Sequence, residues 1–230
     1  MFDINLSLTS CFVQVAAEKK QKKPQEARPR RVPTQARSLR RYEAILAAAA
    51  DAFADHGFEA TTMEGIAARA ETSIGSLYQF FPNKMAVFRE LAARALAMSR
   101  ALFAEQMGPE PWKRPWRELV DAMVDGYAKL NQDPTMRAIF GNVQLYGEYA
   151  DEDAEQLREM TVAIAALIGM WSPTVPARRR EVVGALVVNT VATAMVLVSR
   201  DVGLADEVVA EIKLLVKRYL APYADGTVES

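Results

Sequence analysis

Ser73, Ser76 and Gln79 lie close together on a short stretch with helical spacing, with Gly75 between them. Hydroxyls and a carboxamide carry the donors and acceptors that read base edges. A Gln amide can pair bidentately with adenine, and Ser serves as donor or acceptor. Gly75 weakens a helix, so its missing side chain suits close approach of another molecule. Ile74, Leu77 and Phe81 share one face of the same stretch and are expected to pack inward.

The segment from Thr61 to Lys84, TTMEGIAARAETSIGSLYQFFPNK, must position these groups. Thr61 with Glu64 three residues later reads as a capping box, which predicts a helix start. Met63, Ile66, Ala67 and Ala70 form that helix's inner face. Thr72 or Ser73 caps a second helix, Pro82 stops it, and Asn83 caps a third. Two short helices joined by a tight turn predict a helix-turn-helix at about 62–81, its second helix entering the DNA major groove.

The wording is more specific than the pattern. TSIGSLYQFFPNK resembles the recognition-helix segment of the tetracycline-repressor (TetR) family. The shared features are the Thr-Thr start, the Ile-Ala pair, Gly-Ser-Leu-Tyr followed by Phe, and the Asn-Lys that opens the next helix. RSLRRYEAILAAAADAFADHGFEATT is similar to the family's first helix, and the resemblance is strong from Arg37 to Arg94. It implies that Tyr78 and Lys84 bind phosphates. Lys84, near a helix N-terminus whose free N–H groups favour an anion, suits that role, and Thr62 and Thr72 are expected beside it. Arg37 and Arg40, in the first turn of the first helix, are expected near phosphate too. Phe80 stands where the family often has a histidine or aromatic residue, and is expected at the joint with the fourth helix.

The 230 residues have a net charge of only −1, but charge is unevenly placed. Ten Lys and Arg residues between Lys19 and Arg41 face only Glu18 and Glu26. A basic arm beside a helix-turn-helix is an electrostatic footprint for phosphate. Pro24, Pro29 and Pro33 prevent a continuous helix there, so residues 1–36 read as a disordered basic extension. Asp3 and the late position of the basic cluster argue against a signal peptide.

A single cysteine, Cys11, allows no intrachain disulfide and fits a reducing cytoplasm. With one histidine, His56, it leaves no set for a His/Cys metal cluster, and no cofactor motif is present. His56 is expected at a helix end before Gly57, a natural C-cap. No phosphate-binding Gly loop, G-x-S-x-G or H-E-x-x-H occurs, which argues against an enzyme. No segment reads as a membrane span. Ala185 to Val198 comes closest, interrupted by Asn189, Thr190 and Thr193.

The periodicity predicts an all-α fold of about nine helices. The parts are the extension 1–36, a DNA-binding domain 37–94, and an effector-binding and dimerisation domain 95–230. After the first three helices, helices are expected at about Asn83–Gln106, Pro115–Gln132, Pro134–Tyr146, Asp151 or Asp153 to Trp171, Pro176–Arg200, and Asp206–Tyr219. The last two are apolar around much of their circumference and need cover on several sides. Val183, Leu186, Val187, Val191, Val209, Ile212 and Val216 are therefore candidates for a dimer interface, with Gly184, Ala185, Ala192 and Ala194 permitting close approach. The family resemblance implies that these helices pair with their symmetry mates as a four-helix bundle.

It also implies a pocket for a small inducer. Phe103, Trp116, Met123, Tyr127, Phe140, Tyr146, Met160, Met170, Trp171 and Met195 are candidates for an apolar, Met-rich lining. Asn142, Gln144, Glu148 and Asn189 are candidate polar handles. The resulting expectation is a homodimeric repressor that binds a pseudo-palindromic operator and is released by an apolar ligand. A regulator controlled by a protein partner, with no small-molecule effector, is the alternative.

Overall fold

The computed structural model describes residues 35–200 and 202–227. The basic extension expected at 1–36 thus lies almost wholly outside the described residues. Among the described residues all regular structure is helical. The α-helices are α1 (Ala36–Ala60), α2 (Met63–Arg69), α3 (Ile74–Phe80), α4 (Lys84–Met107), α5 (Trp116–Leu130), α6 (Pro134–Phe140), α7 (Ala150–Trp171), α8 (Ala177–Arg200) and α9 (Ala205–Ala224). Short 3-10 turns occupy Pro111–Lys113, Val143–Glu148 and Val202–Leu204.

Local signals place most boundaries. Asn83 caps α4 by accepting from the Ala86 N–H at 2.8 Å, and Gly108 ends it at φ 58°. Asp133 caps α6 through the Thr135 N–H at 2.7 Å, with Pro134 at the first helical position. Other boundaries differ from expectation. The sixth helix does not run to Tyr146. It stops at Gly141, and a 3-10 turn follows. Neither Asp151 nor Asp153 caps α7. Asp153 instead accepts from the Tyr146 hydroxyl at 2.9 Å, and burial pushes its carboxyl above the ordinary range. The last helix starts at Ala205 without a side-chain cap and continues past Tyr219 through Pro222 to Ala224. Contacts at its end hold that extra turn: Asp225 accepts from Trp116 Nε1 at 2.8 Å, and Ser172 donates to Tyr223 O.

Two hydrophobic clusters form. The first gathers Tyr42, Ile45, Phe53, Leu77, Phe81, Phe88 and Leu91 from α1 to α4, and includes Met136 and Ile139 of α6 and Tyr149. The bundle that carries α2 and α3 is thus closed partly by residues from the second half of the chain. The second cluster joins Trp116 and Val124 of α5, Ile168 of α7, Val183, Val187 and Met195 of α8, and Ile212 and Val216 of α9. Arg94 falls in the middle of α4, so this one helix serves both parts.

Residues Ala177–Ser199 of α8 are, contrary to the sequence expectation, long and apolar enough by length and composition to cross a membrane, with mean hydropathy 2.1. Asn189 and the two threonines do not offset the dense Val, Leu and Ala around them. In this fold that apolarity serves packing: Val183, Val187, Val188, Ala194, Met195 and Val198 are buried. The close approach permitted by Gly184 is also within the chain. A Cβ there would stand 2.8 Å from the Thr161 carbonyl oxygen of α7.

Gly184→Val should therefore separate α7 from α8 and cost about 1–3 kcal/mol. Urea denaturation of the purified variant checks this. An unchanged midpoint would mean that the two helices do not depend on this contact.

Candidate nucleic-acid interface

Helix α1 breaks at Gly57, which takes φ 77° and ψ 167°. The positive φ is open to glycine and strained for other residues, so the break predicted there from sequence has a conformational cause. Phe58 then turns into the core against Phe53 and Phe88, with ring centroids 5.5 Å away in each case. The cap of α2 is Thr62, not Thr61: the Thr62 hydroxyl accepts from Gly65 N–H at 3.0 Å. Thr61 is buried and donates back to Gly57 O at 2.8 Å, fastening the end of α1. Two adjacent threonines offered the same capping chemistry, and burial assigned one to each helix.

The turn from α2 to α3 is made by Glu71 at φ 49°. The Thr72 N–H donates to Ala67 O at 3.0 Å and the Glu71 N–H to Ala68 O at 3.1 Å. This paired pattern closes a helix with one left-handed residue, usually glycine. Its special backbone was not foreseen, because Glu gives no sequence signal for left-handed geometry.

Ser73 caps α3, accepting from the Ser76 N–H at 3.2 Å, and its hydroxyl donates to Ser76 Oγ at 2.9 Å. Leu77 and Phe81 are fully buried, as expected. Phe80 is buried too, edge-on to Tyr42 at 5.6 Å. Ile74 differs: it is 38% exposed, because α3 is too short for its first turn to reach the core. The outer surface of α3 consists of Ser73, Ile74, Gly75, Tyr78 and Gln79, with Ser76 half-buried. A Cβ at Gly75 would meet nothing within 4 Å, so internal packing does not require this glycine. Thr62 is exposed at the start of α2, and Thr72 is half-buried before α3. Arg37 and Arg40 are exposed on the first turns of α1.

Lys84 has a different placement from the one the resemblance implied. Its ammonium donates to Phe58 O at 2.5 Å, Thr61 O at 2.7 Å and Glu59 O at 3.2 Å. It also sits 4.3 Å from the Phe58 ring centroid. An ammonium has three N–H donors, and all are used on carbonyls left free at the end of α1. Lys84 thus acts as a cap for that corner.

The candidate pocket residues are not gathered around one cavity. Phe140 and Tyr146 pack on the first cluster, and Trp116, Tyr127, Trp171 and Met195 belong to the second. Met160 is buried, Phe103 and Met123 are half-buried, and Met170 is exposed. A smaller group does meet where α4, α5 and α7 cross. Tyr127 Oη lies 3.3 Å from Ser99 O and 3.8 Å from Met160 Sδ. The expected polar handles are engaged elsewhere. Glu148 pairs with Arg89, Asn142 and Gln144 bond at the end of α6, and Asn189 donates to Ala185 O of its own helix.

The expected dimer residues divide between the subunit's core and its outer face. Val183, Val187, Ile212 and Val216 are buried in the subunit's own core, and Val191 and Val209 are half-buried against it. Of the seven, Leu186 alone is exposed, at 51%. The apolar outer stripe instead consists of Val182, Leu186 and Leu197 on α8, with Leu214 and Leu215 on α9. Between these helices lies an open groove of about 650 Å³, lined by Leu186, Val187, Thr190, Leu214, Leu215, Val216 and Tyr219 and edged by Glu211 and Arg218. Periodicity marked both faces as apolar, and only packing showed which faces the interior.

Residues 45–91 match the family described as bacterial regulatory proteins, tetR family. Residues 115–220 match the tetracyclin repressor-like C-terminal domain. The chain is 26% identical over 119 residues to the probable acrEF/envCD operon repressor of Escherichia coli K12, covering 52% of this chain and 54% of that one. It thus spans about half the length of that curated relative. A TetR-family transcriptional regulator from Streptomyces coelicolor is 26% identical, with TM-score 0.57, over 80% of this chain and 97% of the other. The SmeT–triclosan complex shares the fold at TM-score 0.56 and 19% identity, over 79% of this chain and 90% of the other.

Two substitutions test the corner and the turn. Lys84→Ala leaves carbonyls unsatisfied and should cost about 1–3 kcal/mol of stability. If it melts like the parent and loses only DNA affinity, Lys84 returns to the phosphate contacts. Glu71→Gly relieves left-handed strain and should raise stability by about 1 kcal/mol, measured by thermal melting.

Proposed function

This chain belongs to the TetR family of bacterial regulatory proteins, and from that premise we propose a homodimeric transcriptional repressor that a small apolar ligand releases from operator DNA. The family's members are DNA-binding regulators and not enzymes. The observation that carries the reading is the outer face of α3. Ser73, Gly75, Tyr78 and Gln79 are exposed there while Leu77, Phe80 and Phe81 anchor the helix from behind. A rigid short helix with polar groups on its free side is what base reading needs. Gln79 and Ser76 read base edges. Tyr78, Thr62, Thr72, Arg37 and Arg40 contact phosphates and set the register.

The apolar stripe of Val182, Leu186, Leu197, Leu214 and Leu215 is the dimer surface. Pairing α8 and α9 with their symmetry mates covers it and sets the spacing of the two α3 helices. The ligand enters where α4, α5 and α7 cross, between Phe103, Met123, Tyr127 and Met160. A neighbour of the same fold was solved with triclosan, and Met residues suit an apolar guest of irregular shape. The ligand must prefer the subunit arrangement that misplaces α3, a differential of ~1–3 kcal/mol. Function on DNA places the protein in the cytoplasm.

Selection from a random DNA pool at near-physiological salt should yield a two-fold symmetric motif. Its half-sites should be one helical turn, about 10–10.5 bp, or a multiple apart. Gln79→Ala should relax preference at one base pair, losing about 1–3 kcal/mol of discrimination. Leu186→Glu with Leu215→Glu should give a folded monomer by analytical ultracentrifugation, with operator affinity sharply reduced. A double variant that stays dimeric would move the interface elsewhere.

A further inference from the structure

We infer that Asn142 is a positioning residue through which the second half of the chain sets the geometry of the DNA-reading helices, an inference that rests on the DNA-binding function proposed above. Asn142 is 1% exposed and lies just beyond α6, far in sequence from α1. Its Oδ1 accepts from the Phe58 N–H at 2.7 Å, across 84 residues. Its Nδ2 donates to Ala138 O at 2.7 Å and reaches Phe53 O at 3.4 Å. One buried carboxamide thus ties the end of α6 to both sides of the break in α1.

The bond to Phe58 falls at the kink in α1. Gly57 departs from helical geometry, so the next residue's N–H leaves the helical ladder. This N–H, buried in the corner, donates to the Asn142 side chain. A buried N–H deprived of its acceptor is costly, so the corner either keeps this bond or rearranges. The chain leaves the corner through Thr61 directly into the cap of α2, and α3 follows one turn later. Lys84 holds the carbonyl side of the same corner, at Phe58 O, Glu59 O and Thr61 O. The corner is therefore fastened twice, from α4 by Lys84 and from α6 by Asn142. The ion pair between Arg89 of α4 and Glu148 of the following 3-10 turn holds the Asn142 segment against α4. A shift of α6 moves the acceptor, and the reading head must follow it or lose it.

The test uses the full-length protein and a DNA fragment recovered by selection. Asn142→Ala should raise the Kd for that fragment about tenfold, within the range of couplings between sites. Amide hydrogen exchange provides the readout that lost stability alone would not move. In the parent protein, DNA should slow exchange at the Phe58 amide and across residues 141–148, which lie off the reading face. In Asn142→Ala the slowing across 141–148 should vanish while that across 62–84 remains. Protection in the parent confined to 62–84 would overturn the coupling, as would an Asn142→Ala protein that binds as tightly as the parent. If the variant does not fold, exchange in the parent alone decides. A parent protein that selects no DNA and gains no protection at 62–84 fails at the DNA-reading step itself, a different result from failure of the coupling.

Discussion

The backbone groups released where α1 ends at Gly57 must be satisfied, and much of the architecture follows from how this is done. Gly57 leaves the helical ladder at positive φ, exposing an N–H on one side and several carbonyls on the other. The Thr61 hydroxyl, the Lys84 ammonium and the Asn142 carboxamide converge on them. These three side chains come from the corner itself, from α4 and from beyond α6. The corner thus gathers side chains from three separate stretches of the chain into one hydrogen-bonded cluster.

That cluster gives the connection between the two halves a physical content. α4 runs from its Asn83 cap beside α3 to Gly108 and contributes to both regions. Its first half is buried around Val87, Phe88 and Leu91, whereas Leu102 and Phe103 in its last turns are half-buried. One end is fully packed, and the other is only partly covered. A helix held firmly at one end transmits small adjustments at the other, because packed interiors shift between discrete arrangements more readily than they deform.

The face that α8 and α9 turn outward follows the same logic of satisfaction. Their inner valines and isoleucine already complete the second cluster, and what remains outside is a stripe of leucine and valine flanking an open groove. Glu211 and Arg218 stand at its edge.

The sequence by itself determined the helical class, the break at Gly57, the cap Asn83, and the buried pair Leu77 and Phe81. Each depends on local chemistry: a φ that glycine tolerates, a side chain within reach of nearby N–H groups, or apolar spacing along one helix. Tertiary structure decided the rest. It gave the α2 cap to Thr62 and buried Thr61, left Ile74 outside, and set the Lys84 ammonium on the carbonyls of the corner. It also turned Val183 inward and Leu215 outward, and brought Asn142 to Phe58. Those outcomes depend on which surfaces meet across long stretches of chain. Periodicity shows that a helix has an apolar face, but not whether its own chain or another molecule will cover it.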